Sequence, residues 1–443
     1  MELGILTLLP PIVILLMALK TRNTTSSLLA GALLCCILQY KTGFLTGFID
    51  LMYAVGCDED TIWYVLFVAL FGCVLGIWSH TGATRALAEQ LQKYATNQRR
   101  TLLLTWVIGI LVFIDDFTSI AVRGTMTKLY DKNKIPRAML SYITDAQASP
   151  LNALIPIGTW GIFYQSVFVG YAEVTALGDS MSVYNSTVPF IFYGWVSVAI
   201  ALLVALGVLK PMGAMKKAYE RAQATGRLYS EESDALNTDD GEEAPLDSVK
   251  TKKLLAGFII PLAVFIVIVL VNGDVVFGSL VTIAVAFVLF LALRLARWNE
   301  LMKACMQGIT DMVRDSLIAI GMPEYVISIA QPFMSPALLP VITFVICALL
   351  AFMSGTNWGS TLPVAAVVIP LCASVGGNMP MVLSAVISGA AFGAHACFYC
   401  DVTIFTSGMT KIDNMEHATT QLPYCLIGAG VTTLLYLVAG FLF

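Results

Sequence analysis

Asp115 and Asp116 stand side by side at the end of the apolar run from Thr101 to Ile114, and apolar residues resume from Phe117 to Val122. Charges at membrane depth are expensive, so they mark functional sites. Carboxylates, hydroxyls, amide oxygens and freed backbone carbonyls are the hard ligands that bind alkali and alkaline-earth cations. The chain supplies such groups in four clusters. The first holds Asp115, Asp116, Thr118 and Ser119, and the second holds Asp145, Ser149, Asn152 and Thr159. The third holds Ser354, Thr356, Asn357 and Ser360, and the fourth holds His395, Asp401, Thr403 and Ser407. Two adjacent carboxylates do not both ionise cheaply in a low dielectric, so one holds a proton until a cation arrives, a direct route to proton–cation exchange. Neighbouring side chains on a helix point apart, so one of the pair binds and the other orients.

Each group also has a structural reading. Asp115 and Asp116 would cap an interfacial helix, and Asp145 would pair with Arg123 or Arg137. His395 is the only histidine expected at membrane depth; it either titrates near neutral pH or packs as a satisfied core group. Trp160 and Trp358 serve packing or the interface, or gate a cavity. The small-residue run Ser388–Gly393 suits close helix packing.

The composition sets the class. The 443 residues are 58% hydrophobic and 12% charged, and the mean hydropathy is +0.81. A soluble domain is nearer half apolar and a quarter charged, so the chain is a polytopic membrane protein. Its net charge of −4 selects no partner, nucleic acid included, because in a membrane protein charge matters by side. No cleavable signal peptide is evident, and the first apolar run, Leu3–Leu19, reads as a span. The chain lacks a phosphate-binding G-x-x-x-x-G-K-[ST] loop and a dinucleotide fingerprint, so no cofactor is expected and the energy comes from an ion gradient or through a separate partner. The ten cysteines lie mostly in apolar segments and behave as small hydrophobes, with no disulfide framework. Cys397-x-x-Cys400 has no second pair and is not a zinc site.

Basic residues place the membrane sides. The loop His80–Arg100 is cytoplasmic, and both chain ends are external. Residues 101–127 are too few for two crossings, which need about 40. A single crossing would put Lys128, Lys132, Lys134 and Arg137 outside. The expected solution is a re-entrant hairpin over 101–127 that dips from the cytoplasm, its tip near Asp115–Thr118. Prolines and polar groups break the next span, 138–170, and freed backbone there faces a ligand. Residues 210–253 read as a flexible, hydrophilic cytoplasmic linker, containing no site. The second half repeats the order with opposite orientation. It has a hairpin over 338–371 dipping from outside and a broken span over 382–408. Lys411–Gln421 reads as a cytoplasmic turn carrying His417. The expected fold is therefore all-α, with two inverted-topology repeats over 1–209 and 254–443. That makes about ten full spans plus two hairpins, with the site at the midplane.

The stretches Phe113-Ile-Asp-Asp116, Asp145 with Ser149-Pro150, Gly158-Thr-Trp160, Ser354-Gly-Thr-Asn-Trp-Gly359, Gly393-Ala-His395, Asp401-Val-Thr403 and Gln421-Leu-Pro-Tyr424 resemble the NhaC-type Na+/H+ antiporter family of the ion-transporter superfamily. The resemblance covers roughly 60–165 and 340–430. It implies an elevator-like movement, Na+ as coupling ion with Asp116, Asp145, Thr356 and Asp401 as its ligand candidates, and a homodimer in a bacterial inner membrane. The family pattern has an acid after the glycine where this chain has Ala394, which leaves room for a larger substrate. The first expectation is Na+/H+ exchange. The alternative is Na+- or H+-coupled transport of a small organic solute, an amino acid or carboxylate, and an enzyme is not expected.

Overall fold

A computed structural model describes residues 9–10, 13, 16–17, 20, 24–57, 59–91, 93–113, 116–237, 248–272, 274–313, 335–355 and 357–443. The first expected span, Leu3–Leu19, lies mostly outside these residues. In chain order come α1 (Thr24–Tyr40), α2 (Phe44–Gly56), α3 (Glu59–Thr81) and α4 (Ala83–Leu91). The stretch holding the aspartate pair gives α5 (Gln98–Leu111), α6 (Asp116–Gly124) and α7 (Thr127–Lys132). The next span is broken twice, into α8 (Arg137–Asp145), α9 (Ser149–Asn152) and α10 (Thr159–Val169). Then follow α11 (Ala172–Thr175), α12 (Ser180–Thr187), α13 (Phe192–Ala205) and α14 (Gly213–Thr225). The second half holds α15 (Ser248–Asn272), α16 (Val275–Ala292), α17 (Trp298–Val313), α18 (Leu339–Ser354), α19 (Asn357–Val375), α20 (Met379–Ala396), α21 (Asp401–Thr410) and α22 (Asn414–Leu442).

Local chemistry sets several of these boundaries. The Asn97 side chain accepts from the Arg100 N–H at 2.9 Å and starts α5. Asp274 starts α16 by accepting from Val276 and Phe277 N–H, and Asn378 starts α20 by accepting from Met381 N–H. Each satisfies orphan donors of a first turn. Among the described residues, five helices, Leu29–Asp50, Val249–Asn272, Val275–Ala292, Met379–Ala396 and Asn414–Leu442, are long and apolar enough to cross a membrane, or six if the pair Ser180–Phe190 and Phe192–Ala205, bent by 51°, is one span. The described part is an all-helical integral membrane protein. The arms α5 and α18 rise about 21 and 24 Å, less than a hydrocarbon core of about 30 Å. Each is followed by a second helix, α6 after α5 and α19 after α18.

The centre is α20, whose apolar window is 94% buried. It packs against α13, α18, α19 and α22. Contact with α18 is close because of glycine. A Cβ on Gly393 would stand 2.1 Å from the Ala351 Cβ, and one on Gly389 would stand 2.6 Å from the Cys347 Cβ. The small-residue run therefore serves helix packing. Gly355 ends α18 at φ +70°, a left-handed conformation that glycine adopts without cost. A second layer joins α3, α15, α16 and α17 around Trp78, Phe258 and Leu301. The Trp78 indole N–H donates to the Gly257 carbonyl at 3.1 Å and fixes this layer.

The hydrophilic stretch after α13 departs from expectation. Through residue 237 it is not a free linker but a strap packed on α22 and on the end of α21. Met215, Ala218 and Ala222 of α14 are buried at helical spacing. Arg221 pairs with Glu416 at 2.5 Å, the Ser230 N–H donates to Glu416 at 2.8 Å, and Asn237 donates to the Lys411 carbonyl at 2.9 Å. The fold follows from one apolar stripe on a locally polar helix, which overall composition hides. Residues 238–247 lie outside the described part.

Candidate functional site

Asp116 is the first residue of α6 and is only 4% exposed. It faces the double break of the α8–α10 span. Pro150 lies in the first turn of α9, where it has no N–H to continue the preceding helix. The restart turns Ser149 and Asn152 towards Asp116. The Ser149 hydroxyl donates to its Oδ2 at 2.7 Å, the Asn152 amide donates to its Oδ1, and the Trp160 indole N–H donates to Oδ2 at 3.0 Å. Three neutral donors thus hold one buried carboxylate, a strong arrangement for an anion. The amide oxygen of Asn152 has no hydrogen-bond partner. It offers a hard oxygen beside the carboxylate.

Asp145, four residues before Ser149 and the last of α8, is fully buried in a different setting. The Gln421 amide donates to its Oδ2 at 2.9 Å and to the His395 carbonyl at 2.7 Å. That carbonyl is free because the α20 helix stops at Ala396. The His417 Nε2 stands 3.4 Å from Asp145 Oδ2, with both side chains wholly buried. The Thr403 hydroxyl lies 3.5 Å from the same oxygen, at the outer limit of a hydrogen bond. Asp145 Oδ1, Gln421 Oε1 and His395 Nε2 are buried without partners. His395 is held at Nδ1, 2.9 Å from the Tyr193 hydroxyl.

Arg123 joins the two clusters. It belongs to α6 with Asp116 and is fully buried. Its guanidinium donates to the Ile143 carbonyl and to Gln147 Oε1 at 3.4 and 3.0 Å, and to the Ser119 hydroxyl at 2.7 Å. Gln147 in turn donates to the Trp106 carbonyl at 3.0 Å. A Cβ on Gly109 would meet Arg123 Nη1 at 2.4 Å, so α5 approaches closely at this point. The arginine clamps the break between Asp145 and Ser149. Its donors are used within the protein, which argues against a role in holding a carboxylated solute. Arg137, the other expected partner of Asp145, pairs instead with Asp131 at 2.7 Å.

The remaining expected residues fall in several places. Asp401 opens α21 and its Oδ1 accepts from its own Val402 N–H at 2.8 Å and from Cys400 Sγ. It is a helix-start acid. Thr159 opens α10, half-buried beside Trp160. Asp115 and Thr356 lie outside the described residues. Thr118 and Asn357 belong to α6 and α19, but their side chains lie outside what is described. Cys397 and Cys400 are free thiols, and no group of three metal-ligating side chains occurs among the described residues. Two site residues escape a reading of the sequence. His417 is not in a turn but in the buried first turns of α22, since the turn ends at Asp413. Trp160 is buried and donates to Asp116, a role its sequence context did not show.

Apolar helices of spanning length around buried carboxylates and broken helices define an ion-site membrane protein. The chain belongs to the Na+/H+ antiporter family, whose model matches residues 162–441. That match takes in His395, Thr403, His417 and Gln421, whereas the Asp116 stretch precedes it. The chain is 26% identical to an uncharacterized protein of Haemophilus influenzae, over 89% of this chain and 81% of that protein. It is 25% identical to a malate-2H(+)/Na(+)-lactate antiporter of Bacillus subtilis, over 33% of this chain and 34% of the relative.

Proposed function

We propose that the protein exchanges Na+, or a similar monovalent cation, for H+ across a bacterial inner membrane, and that Asp116 is the cation's carboxylate ligand. The observation that carries this reading is a buried carboxylate held by neutral donors from a broken helix, with the Asn152 oxygen free beside it. Ser149 and Asn152 complete one wall. Thr356 and Asn357 supply further oxygens to the cation. Asp115 orients its neighbour. The two halves act as inverted repeats, with both termini external. The α5–α10 and α18–α21 elements move as an elevator against α3 and α15–α17, which pair in a homodimer. A proton gradient imposed on proteoliposomes tests the exchange. Accumulation of Na+, Li+ or K+ is expected, and no accumulation of any of them between mildly acid and alkaline pH contradicts the reading.

A second reading is supported by the similarity to a relative named as a malate/lactate antiporter, together with Ala394 where the family pattern has an acid. In it, the cation gradient drives a small carboxylate. Counterflow of labelled malate or lactate across the same vesicles is the expected sign. Fluxes equal to those of empty vesicles remove it.

A further inference from the structure

The Asp145–His417 contact has a feature that the cation site does not explain. His417 Nδ1 lies 3.2 Å from the Thr403 carbonyl, which can only accept. It also lies 3.0 Å from Ser407 Oγ, whose own hydrogen goes to the Thr403 carbonyl at 2.7 Å or to Asn414 Oδ1 at 3.0 Å. These partners assign the ring hydrogen to Nδ1. Nε2 therefore faces Asp145 Oδ2 across 3.4 Å either as a bare lone pair or with a proton of its own. A lone pair facing a carboxylate in a dry interior is repulsive and leaves both groups unsatisfied. One proton resolves the contact, whether it sits on the acid or on the ring, and the pair is then neutral as a unit.

We infer that Asp145 and His417 form a proton-carrying pair, distinct from the Asp116 cation ligand, with Asp145 four residues before Ser149 on the broken helix that faces Asp116. The inference rests on the exchange reading above. The charged and titratable groups around the pair are Arg123 and Asp116 from α6, Tyr142 from α8, Tyr193 from α13, His395 from α20 and Cys425 from α22. Of these, Arg123 is the fixed positive charge and Asp116 the second negative one. With the pair protonated, Asp116 and Arg123 cancel. When a monovalent cation joins Asp116, its charge is balanced by releasing the proton shared by Asp145 Oδ2 and His417 Nε2 to water, which leaves Asp145 as the second carboxylate. Cation in and proton out keep the buried charge constant, which is the coupling an antiporter needs. Arg123 and Gln147 lock the segment between the two sites, so each senses the other through a fixed helix break.

The test is made on detergent-purified full-length protein in weakly buffered solution. Na+, Li+ and K+ are added in turn, and both the melting temperature and the released protons are read. The wild type is expected to be stabilised and to release about one proton per chain on cation binding, the charge count argued above. Asp145→Asn fits the site, since its amide can donate to His417 Nε2. It is expected to release no proton and to show weaker cation-dependent stabilisation, because no second carboxylate then offsets the bound charge. His417→Gln keeps Asp145 as a carboxylate, and is expected to keep the stabilisation while releasing no proton, which tests the pair even if Asp145→Asn folds poorly. Proton release that persists in both variants overturns the pair. So does loss of cation-dependent stabilisation in His417→Gln protein that elutes and melts as folded, because His417 then belongs to the cation site itself. A wild type stabilised by a cation but releasing no proton overturns the pair and leaves the exchange reading. A wild type that no cation stabilises overturns both.

Discussion

Asp116 faces the broken helix and Asp145 is part of it; both aspartates are buried, yet their surroundings are opposite. Asp116 receives three neutral hydrogen-bond donors, from Ser149, Asn152 and Trp160. Such a shell supports a standing negative charge. Asp145 receives an amide and faces a histidine, and one of its oxygens has no partner. That shell is completed by a proton. Two carboxylates of one residue type thus divide the work by environment. A permanent anion attracts a cation, and an exchangeable proton answers its arrival.

The comparison breaks most sharply at Asp116. Asp116→Asn removes the charge while keeping the shape, and is expected to lower cation-driven proton flux by roughly 100-fold, on the scale of uncoupling a buried charge from its partner. Flux measured by pH-dye quenching in proteoliposomes reads it; flux within a few-fold of wild type places the cation elsewhere. Trp160→Phe keeps the ring but deletes one donor to the carboxylate. Losing a hydrogen bond to a charged group costs about 1.5–3 kcal/mol, so the cation concentration for half-maximal flux is expected to rise about tenfold. An unchanged half-saturation shows that Trp160 only packs.

Two smaller effects separate the site from its frame. Gly393→Ala inserts a methyl 2.1 Å from the Ala351 Cβ and must part α18 from α20. Overpacking of this kind costs roughly 1–3 kcal/mol. The melting temperature in detergent is expected to fall with or without cation, whereas a fall confined to cation-bound protein implicates the site. Glu416→Gln weakens the strap by removing the partner of Arg221 and Ser230. A part-exposed pair is worth about 1 kcal/mol or less, so the shift is small and fades in high salt. A salt-insensitive loss of transport assigns the strap a functional role instead.

How legible was all this in the sequence? Asp116, Asp145, Ser149 and Asn152 stood out because polar groups are rare among apolar neighbours, and Pro150 announced the break beside them. The breaks after Leu111, Asp145, Ser354 and Ala396 followed from segment length, proline and glycine. His417 did not stand out. It follows Lys411 and Asp413, which read as a surface turn, and its burial depends on α8 and α21 packing against it. Only tertiary packing supplies that. The strap was hidden for a related reason. A stretch with acidic and basic residues reads as solvated, while the stripe of Met215, Ala218 and Ala222 that docks it is narrow. Gln421 was legible as part of a motif, but its bridge from a freed carbonyl to Asp145 required two distant helix ends to meet. Trp160 carries a strong prior for packing, and its indole N–H matters only because α6 begins at Asp116.

The central claim is that a monovalent cation is held at Asp116 and traded for a proton. Uptake of radioactive sodium into proteoliposomes, driven by an outward proton gradient, tests it most directly when wild type and Asp116→Asn are compared side by side. Wild-type vesicles should load sodium until a protonophore collapses the gradient, and Asp116→Asn vesicles should load no more than empty ones. Equal loading by the two proteins would contradict the account.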